Sequence, residues 1–279
     1  MSTPEGRMAG KVVLVTGAAK GQGRSHCLRL AAEGADVIAL DVCADIPATR
    51  YAQGTADQLA ETAREVERRG RRVVTAEVDV RDADALAATV GKAVAELGGL
   101  DVVVANAGIM QLKAATDITP DDWATVLAVN LTGPWNTVSA CLPALLARGG
   151  GSIVLISSAA GLKGPPHMAH YSAAKTGLVG LMRSLANELG PQGIRVNTVH
   201  PTTVDTDMVH WPEAYAMFRP DVENPGRADV EPVFTSLNVL PVPWIQPADV
   251  SEAVLFLASE QARYITGVAL PVDAGTVIK

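Results

Sequence analysis

Tyr171 and Lys175 are the two side chains whose types and spacing best suit acid–base chemistry. They are four positions apart, so on a helix both project from the same face. A phenol has an ordinary pKa of about 10, which is too high for a base near neutral pH. An ammonium group beside the phenol favours the phenolate and so lowers that pKa. Many such pairs are ordinary neighbours on exposed helices, so the interpretation depends on motifs elsewhere in the chain.

A glycine-rich turn near the start of the chain predicts a nucleotide-binding site. The segment from Thr16 to Gly23 reads TGAAKGQG and stands between a β-branched run and a helical pattern. Glycines at such a junction allow a tight turn and let the backbone approach a pyrophosphate at a helix N-terminus. The predicted cofactor-binding residues in this turn are Gly17, Gln22 and Gly23.

Asp41 ends the second predicted strand and favours NAD over NADP. It follows Gly17 by 24 positions, about where an acid accepts hydrogen bonds from the adenosine ribose. Unit charges about 4 Å apart interact by about 4 kcal/mol at an effective dielectric constant of 20, so the carboxylate would repel a 2′-phosphate. Lys20 favours the opposite, because a cation in the turn could meet that phosphate. Asp41 is followed by Val42 and Cys43 rather than by a cation, which leaves NAD favoured.

Composition and charge indicate one reduced, cytoplasmic α/β domain. A chain of 279 residues is long enough for one large core and short for two. The net charge of −7 argues against nucleic-acid and anionic-membrane partners, which would need a basic surface. The three cysteines lack CxxC spacing, and no apolar segment is long enough to span a membrane.

Short β-branched runs alternate with longer amphipathic stretches, which predicts repeated βαβ units. The predicted strands are Val12–Val15, Asp36–Leu40, Arg72–Glu77, Val102–Ala105, Ser152–Ile156, Arg195–Val199 and Val268–Val272. The predicted helices are Gln22–Glu33, Ala56–Arg69, Ala83–Leu97, Asp121–Ala147, Ala169–Leu189 and Pro247–Ser259. Right-handed crossovers would join them into one doubly wound, Rossmann-type parallel sheet of about seven strands with helices on both faces. We expect this α/β domain to span residues 1–279.

Two segments interrupt this alternation. Val42–Gln53 separates the second strand from its helix by more residues than such connections usually have. Thr202–Gln246 is rich in aromatic residues and proline, and we interpret it as a small lobe that covers a substrate pocket. A packed helical insertion without a ligand role remains the alternative for this second segment.

Taken together, these motifs resemble the short-chain dehydrogenase/reductase superfamily, from about Lys11 to Gly275. The glycine turn is similar to the family's cofactor turn. Asp79 and Val80 match its adenine-contacting pair, and Asn106-Ala107-Gly108 matches the motif beneath the nicotinamide ribose. The resemblance also implies cofactor contacts from Pro201, Val204 and Thr206.

The resemblance implies four catalytic residues, namely Asn130, Ser158, Tyr171 and Lys175. Ser158 is preferred to Ser157 because the family places its serine thirteen positions before the tyrosine. Tyr171 would exchange a proton with the substrate oxygen, and Ser158 would stabilise negative charge on that oxygen. Lys175 would lower the phenol pKa and hold the nicotinamide ribose, while Asn130 would hold a water that connects Lys175 to solvent.

A narrower resemblance is to the mycofactocin-associated subgroup, which includes carveol-dehydrogenase-like proteins. It depends on Gly21–His26, the Val42–Gln53 insertion and His200–Met208. It implies an NAD that stays bound through the insertion and passes electrons to a mycofactocin-type redox carrier. Thr202 and Ala274 stand where the superfamily commonly has glycine. The family resemblance further implies a homotetramer built on the helices Asp121–Ala147 and Ala169–Leu189.

The expected reaction is NAD(H)-dependent interconversion of a hydrophobic secondary alcohol and its ketone. The apolar substrate is inferred from the lobe, with Met208, Trp211 and Tyr215 as predicted substrate contacts. The histidine spacing does not predict a metal site. The alternatives are a freely exchanging dehydrogenase and, in another class, a non-catalytic NAD(H)-sensing or scaffold protein. Such a binder would need the glycine turn and Asp41 but not Tyr171 or Ser158.

Overall fold

A parallel sheet of seven strands forms the centre of the computed structural model, which describes residues 6–279. The strands are β1 (Val12–Thr16), β2 (Asp36–Asp41), β3 (Val73–Glu77), β4 (Val102–Ala105), β5 (Gly151–Ile156), β6 (Ile194–Pro201) and β7 (Ala269–Val272). Their order across the sheet is β3-β2-β1-β4-β5-β6-β7. The order reverses between β1 and β4, which is where sheets of this type bind ligands.

The strands are parallel and central, and this explains their uninterrupted apolar sequences. Every residue of β1, β2 and β4 is buried, as expected when helices cover both faces of a parallel sheet. β3 lies at an edge and alternates between half-buried and exposed residues. All seven predicted strands are confirmed, with boundaries that differ by no more than two residues.

Helices cover both faces of the sheet. They are α1 (Gly21–Ala32), α2 (Ala56–Glu67), α3 (Ala83–Leu97), α4 (Pro120–Leu127), α5 (Gly133–Arg148), α6 (Ala160–Lys163), α7 (Ala169–Leu189), α8 (Pro212–Phe218), α9 (Arg227–Leu237) and α10 (Pro247–Ala258). One apolar layer joins α1, α2 and α10 to the sheet, and a second joins α3, α5 and α7 to its other face. The predicted doubly wound architecture is therefore confirmed.

The segment predicted as one helix, Asp121–Ala147, is helical throughout from Pro120 to Arg148, but it is not one regular α-helix. α4 and α5 are separated by a π-helical segment, Ala128–Thr132. Asn130 lies in this segment, and its amide donates to the backbone carbonyls of Val126 and Ile109. A π-helical turn is wider than an α-helical one and is frequent at functional sites. Hydrophobic periodicity did not show this local change, because the apolar face continues through both helices.

The lobe between β6 and α10 contains α8 and α9, neither of which the sequence pattern predicted. Tyr215, Val230 and Phe234 form its buried apolar centre, with Phe218 and Trp244 packed against them. The rings of Phe218 and Phe234 meet edge to face with centroids 4.6 Å apart. Within residues 6–279, no helix has both the length and the apolar character that crossing a membrane requires.

Candidate active site

A cleft opens at the carboxyl ends of β1, β2 and β4, at the point where the strand order reverses. Its walls come from the glycine turn, the insertion after β2, the loops after β3 and β4, and the start of the lobe. The predicted cofactor residues that line it are Gly17, Gln22, Gly23, Asp41, Asp79, Val80, Asn106, Ala107, Gly108 and Thr206. The fold thus brings together side chains from five separate parts of the sequence.

The glycines of the turn are required by close backbone approach. Gly17 has a φ of +70°, and a Cβ there would lie 3.0 Å from the Cα of Ala107. A Cβ on Gly23 would lie 1.9 Å from the carbonyl oxygen of Gly17, closer than any real contact. Gln22 lines the same cleft, and its buried Oε1 has no hydrogen-bond partner within the described chain. A turn whose backbone is not covered by side chains, together with a buried polar atom that lacks a partner, fits the binding of a dinucleotide.

Asp41 is fixed at the end of β2 by two backbone N–H groups. Its Oδ2 accepts from Ala19 at 2.9 Å, and its Oδ1 accepts from Cys43 at 3.1 Å. Gly54, at the end of the insertion, leaves room for the carboxylate, since a Cβ there would lie 3.0 Å from Oδ1. The carboxylate is therefore oriented before any ligand arrives, as recognition of ribose hydroxyls requires.

Lys20 does not lie free in the glycine turn to meet a 2′-phosphate. Its ammonium donates to the carbonyl of Ala52 at 3.0 Å and forms an ion pair with Asp207. It thereby links the turn to the insertion and to the lobe. Lys20 therefore gives less support to NADP, because its ammonium group is already paired with the carboxylate of Asp207.

Asn106 anchors the motif after β4 to the glycine turn. Its amide donates to the Thr16 carbonyl at 2.9 Å. The Thr16 hydroxyl accepts from the backbone N–H groups of Asn106 and Ala107, at 3.1 Å each. These bonds fix the distance between the ends of β1 and β4, where the strand order reverses. Asp79 and Val80 lie across the cleft, where Arg81 pairs with the Asp79 carboxylate.

Tyr171 and Lys175 lie on one face of α7, and both are buried, at 7% and 3% exposure. The Lys175 ammonium lies 5.6 Å from the centroid of the Tyr171 ring and donates to the carbonyl of Ile156 at 2.9 Å. A Cβ on Gly108 would lie 3.3 Å from the ammonium and 2.9 Å from Asn130 Oδ1. Gly108 is therefore the point at which the lysine, the asparagine and the cofactor cleft meet.

The Asn130 side chain is fully used in hydrogen bonds to the backbone. Besides the two bonds that its amide donates, its Oδ1 accepts from the N–H of Ile109 at 3.2 Å. Its position between the π-helical segment and the loop after β4 is thus fixed. The water-holding role expected of Asn130 remains a prediction.

Two adjacent serines at the end of β5 have different surroundings. Ser157 is buried, and its hydroxyl donates to the backbone carbonyl of Lys175 at 2.9 Å. Ser158 is half-buried, and its Oγ accepts from the N–H of Ala160 at 3.1 Å. Accepting that bond leaves the Ser158 O–H free to donate elsewhere. The Ser157 hydroxyl is therefore used within the fold, whereas the preference for Ser158 as the catalytic serine remains a prediction.

Burial dominates the acid–base properties of the pair. It raises the pKa of Tyr171 to about 12, although the Ser158 hydroxyl offsets part of that rise. It lowers the pKa of Lys175 to about 7. Both shifts favour the neutral forms. Burial therefore opposes the lowering of the phenol pKa that is expected from the lysine charge, and that role of Lys175 remains a prediction.

The remaining predicted residues lie in three different places. Pro201 ends β6 and Val204 packs in the apolar core, and neither lines the cleft formed by the described residues. Met208 lines the cleft, whereas Trp211 lines a neighbouring outer cleft. Tyr215 is buried inside the lobe and bonds to His210 at 2.8 Å. Tyr215 thus packs within the lobe and lines neither cleft formed by the described residues, and its contact with substrate remains a prediction.

The insertion supplies residues that sequence reasoning missed. Ile46 belongs to the same buried apolar cluster as Tyr171, and Ala48 packs against that cluster. Tyr51 lines the cleft, and its hydroxyl accepts from the N–H of Met110 at 2.9 Å. The sequence offered as a signal two large side chains, Ile46 and Tyr51, within an insertion that contains many small residues.

Comparison with known proteins identifies the family of this chain and several of its relatives. A model of the short chain dehydrogenase family matches residues 11–214. The chain is 54% identical over 275 residues to the (−)-trans-carveol dehydrogenase of Rhodococcus erythropolis, covering 98% of this chain and 99% of that protein. It is 37% identical over 273 residues to the 3-alpha-(or 20-beta)-hydroxysteroid dehydrogenase of Mycobacterium tuberculosis, covering 98% and 91% respectively.

A solved structure shares the whole architecture. The crystal structure of carveol dehydrogenase from Mycobacterium avium in complex with NAD matches this chain with a TM-score of 0.97 and 52% identity. The match covers 98% of this chain and 100% of that one. The similarity therefore includes the insertion and the lobe as well as the sheet.

Proposed function

The chain belongs to the short chain dehydrogenase family, and from that premise we propose that it interconverts an apolar secondary alcohol and its ketone with NAD(H). The observation that carries the proposal is that Lys175 and Asn130 meet at Gly108, with the Tyr171 ring beside the lysine, at the edge of a cleft that fits a dinucleotide. A protein that only bound NAD would need the cleft but not this buried acid–base pair.

NAD is the cofactor that the cleft residues fit. The glycine turn would hold the pyrophosphate, Asp41 the adenosine ribose and Lys175 the nicotinamide ribose. The relative of known structure was crystallised with NAD, which supports this choice. When bound, NAD accepts or supplies the hydride, while the protein orients the cofactor and the substrate and provides the electric field around them.

Tyr171 carries the proton in this proposal. In alcohol oxidation its phenolate takes the hydroxyl proton, and in ketone reduction its phenol returns a proton to the carbonyl oxygen. Ser158 donates a hydrogen bond to that oxygen and stabilises the negative charge that develops there. Lys175 favours the phenolate when its ammonium is charged, and its hydrogen bond to the carbonyl of Ile156 fixes where that charge lies.

An apolar substrate agrees with the surroundings of Tyr171. The phenol lies in a cluster with Ile46, Ile109 and Val129, against which Met110 packs. Relatives of this chain are dehydrogenases of carveol and of hydroxysteroids, which are apolar alcohols. A charged hydroxy acid would lose its hydration in such a site without a compensating partner.

We also propose that NAD is retained between turnovers and is reoxidised by a mycofactocin-type carrier. Lys20 joins the glycine turn to Ala52 of the insertion and to Asp207 of the lobe. Release of the dinucleotide would require these contacts to open. Mass analysis of nucleotide released on denaturing the purified protein tests retention. About one NAD per chain supports it, and an empty protein that binds added NAD indicates free exchange.

The central test of the enzyme proposal is Tyr171→Phe. The variant keeps the ring but cannot carry the proton, and general acid–base catalysis typically contributes about 10²- to 10⁴-fold. We expect alcohol oxidation to fall by at least about 100-fold while the dissociation constant for NADH changes little. Tyr264→Phe is the matched control, since Tyr264 is 89% exposed. Equal oxidation rates in wild type and Tyr171→Phe would instead favour an NAD(H) sensor.

A further inference from the structure

Three segments that are distant in sequence build a wall beside the reaction site. They are the insertion, the loop after β4 and the start of the lobe. In each segment, nearby residues line two different clefts. Tyr51, Ile109 and Met208 line the inner, dinucleotide cleft. Arg50, Met110 and Trp211 line the outer cleft, which has a volume of about 440 Å³. The three segments therefore separate the two clefts.

Tyr51 holds this wall together. Its hydroxyl accepts a hydrogen bond from the N–H of Met110 at 2.9 Å. Its ring lies 6.3 Å from the ring of Trp211, with an interplanar angle of 37°. The Trp211 ring is fixed in turn, because its Nε1 donates to the carbonyl of Met208 at 3.0 Å. A single side chain of the insertion thus touches both other segments.

The wall lies close to the catalytic phenol. Ile46 shares a buried apolar cluster with Tyr171, and Ala48 and Met110 pack on the same cluster. Burial raises the pKa of Tyr51, and repulsion between a Tyr51 phenolate and a Tyr171 phenolate raises it further, which agrees with two neighbouring phenols. Tyr51 therefore stays neutral and presents an aromatic surface to the reaction site.

We propose that Tyr51 is a specificity-determining residue, which limits substrate length by closing the inner site against the outer cleft. The favoured substrate is a compact, uncharged secondary alcohol about one ring in size. Longer, polycyclic alcohols would have to pass through the Tyr51–Trp211 pair. This inference rests on the proposed dehydrogenase function, and it assigns to the insertion a role in substrate selection.

The outer cleft is suited to accept the longer part of a substrate once the wall is opened. It is lined by the apolar side chains of Leu112, Trp211 and Met217 and also by charged side chains, which include Arg50 and Glu213. A volume of about 440 Å³ lies within the range of small-molecule sites. Removing the Tyr51 ring would join this space to the surroundings of Tyr171.

The test compares Tyr51→Ala and Tyr51→Phe in the NAD-loaded protein. The probes are cyclohexanol and a tetracyclic hydroxysteroid, together with the corresponding ketones. Pocket shape typically changes selectivity by about 10- to 200-fold. We expect Tyr51→Ala to raise kcat/KM for the steroid relative to cyclohexanol by at least about tenfold. Tyr51→Phe keeps the ring but loses the hydrogen bond to Met110, so its selectivity should lie between those of wild type and Tyr51→Ala, and Tyr264→Ala is the exposed control.

Calorimetric binding of the two ketones provides a readout that does not need turnover. Tighter steroid binding by Tyr51→Ala, with cyclohexanone affinity unchanged, supports the proposal even if no variant shows activity. If the ketones bind in this pattern but no variant turns over substrate, the dehydrogenase function is contradicted and the role of Tyr51 in selectivity is not. Unchanged selectivity in both rate and binding would overturn the proposal. Tyr51→Leu, which shortens the side chain but keeps it apolar, replaces the alanine variant if that variant does not fold.

Discussion

Lys175 and Tyr171 are buried ionisable side chains, and the proposed mechanism requires both of them to ionise. Burial lowers the pKa of the lysine to about 7 and raises that of the phenol to about 12. The resting site is therefore biased toward neutral groups. In the proposed mechanism the Lys175 ammonium is charged, and burying that charge lowers the stability of the fold. Such a trade-off is common at active sites.

This bias makes stability depend on pH in a defined direction. Between pH 7 and 10.5 the unfolded chain keeps the Lys175 proton, whereas the folded chain has lost it. Stability then rises with pH, by about 1.4 kcal/mol per pH unit for one proton. Lys175→Met removes this dependence. We expect the stability of wild type relative to the variant to grow by about 1 kcal/mol per pH unit across this window.

Urea denaturation of NAD-free protein between pH 6 and 10 measures this difference. Other groups that titrate in the same range, such as surface amines, cancel in the comparison. Lys92→Met, at an exposed position of α3, is the control and should show no such trend. A constant difference between wild type and Lys175→Met would mean that the lysine is charged in the fold at all these pH values.

Asp41 provides a second prediction at the scale of single residues. Its carboxylate is held by Ala19 and Cys43 where a 2′-phosphate would meet it. Asp41→Asn keeps the shape and removes the charge, so repulsion of about 4 kcal/mol at most is relieved. We expect the ratio of kcat/KM for NADP to that for NAD to rise by at least about tenfold, measured by steady-state kinetics. Asp57→Asn, exposed on α2, should leave the ratio unchanged.

At the scale of elements, the cofactor cleft is closed by contacts between segments that belong to different βα units. Lys20 of the glycine turn reaches the insertion through Ala52 and the lobe through Asp207. The insertion reaches the second strand through Gly54, which packs against Asp41. The lobe and the insertion are thus coupled to the glycine turn.

Asp207→Asn should loosen this closure. Asp207 is more than half exposed, and exposed ion pairs contribute about 0–1 kcal/mol, so we expect NADH release to accelerate by about two- to fivefold. Added salt should accelerate release from wild type but not from the variant, because salt screens the ion pair. NADH fluorescence after displacement by excess NAD reports the rate. Asp221→Asn, which removes an ion pair to Arg219 within the lobe, is the control. Identical rates would exclude a role in retention.

At the scale of the whole molecule, large apolar side chains remain exposed on the α4–α5 surface. Trp123 is 42% exposed, Trp135 44% and Leu146 47%. Exposed apolar residues concentrated on one face commonly mark an interaction surface. This surface lies on the segment that the sequence resemblance assigns to intersubunit contacts, so we propose that it contributes to a homotetramer.

Trp135→Arg tests the assembly. A charge placed in a subunit interface would be desolvated without a partner, so we expect dissociation into smaller species. Light scattering after size exclusion should give the mass of four chains for wild type and a lower mass for the variant. Lys92→Glu, on the exposed face of α3, should not change the mass. A monomeric wild type, or a variant of unchanged mass, would contradict the proposal.

The sequence by itself determined the sheet and its strands, and its resemblance to a known family implied the set of candidate catalytic residues. Buried parallel strands must be apolar throughout, so runs such as Val12–Thr16 stand out without any knowledge of their partners. The glycine turn and the Tyr171–Lys175 spacing are equally local, since each lies within one turn or one helix. Local patterns of this kind are visible in a linear sequence.

Only the tertiary structure decided what depends on contacts between distant segments. The pairing of Lys20 with Asp207, the contact of Tyr51 with Met110 and Trp211, and the inward packing of Tyr215 join residues without a shared periodicity. The π-helical segment at Asn130 likewise accompanies its bonds to Ile109, a residue of another loop. The pKa shifts of Tyr171 and Lys175 have the same origin, because burial is a property of the assembled fold.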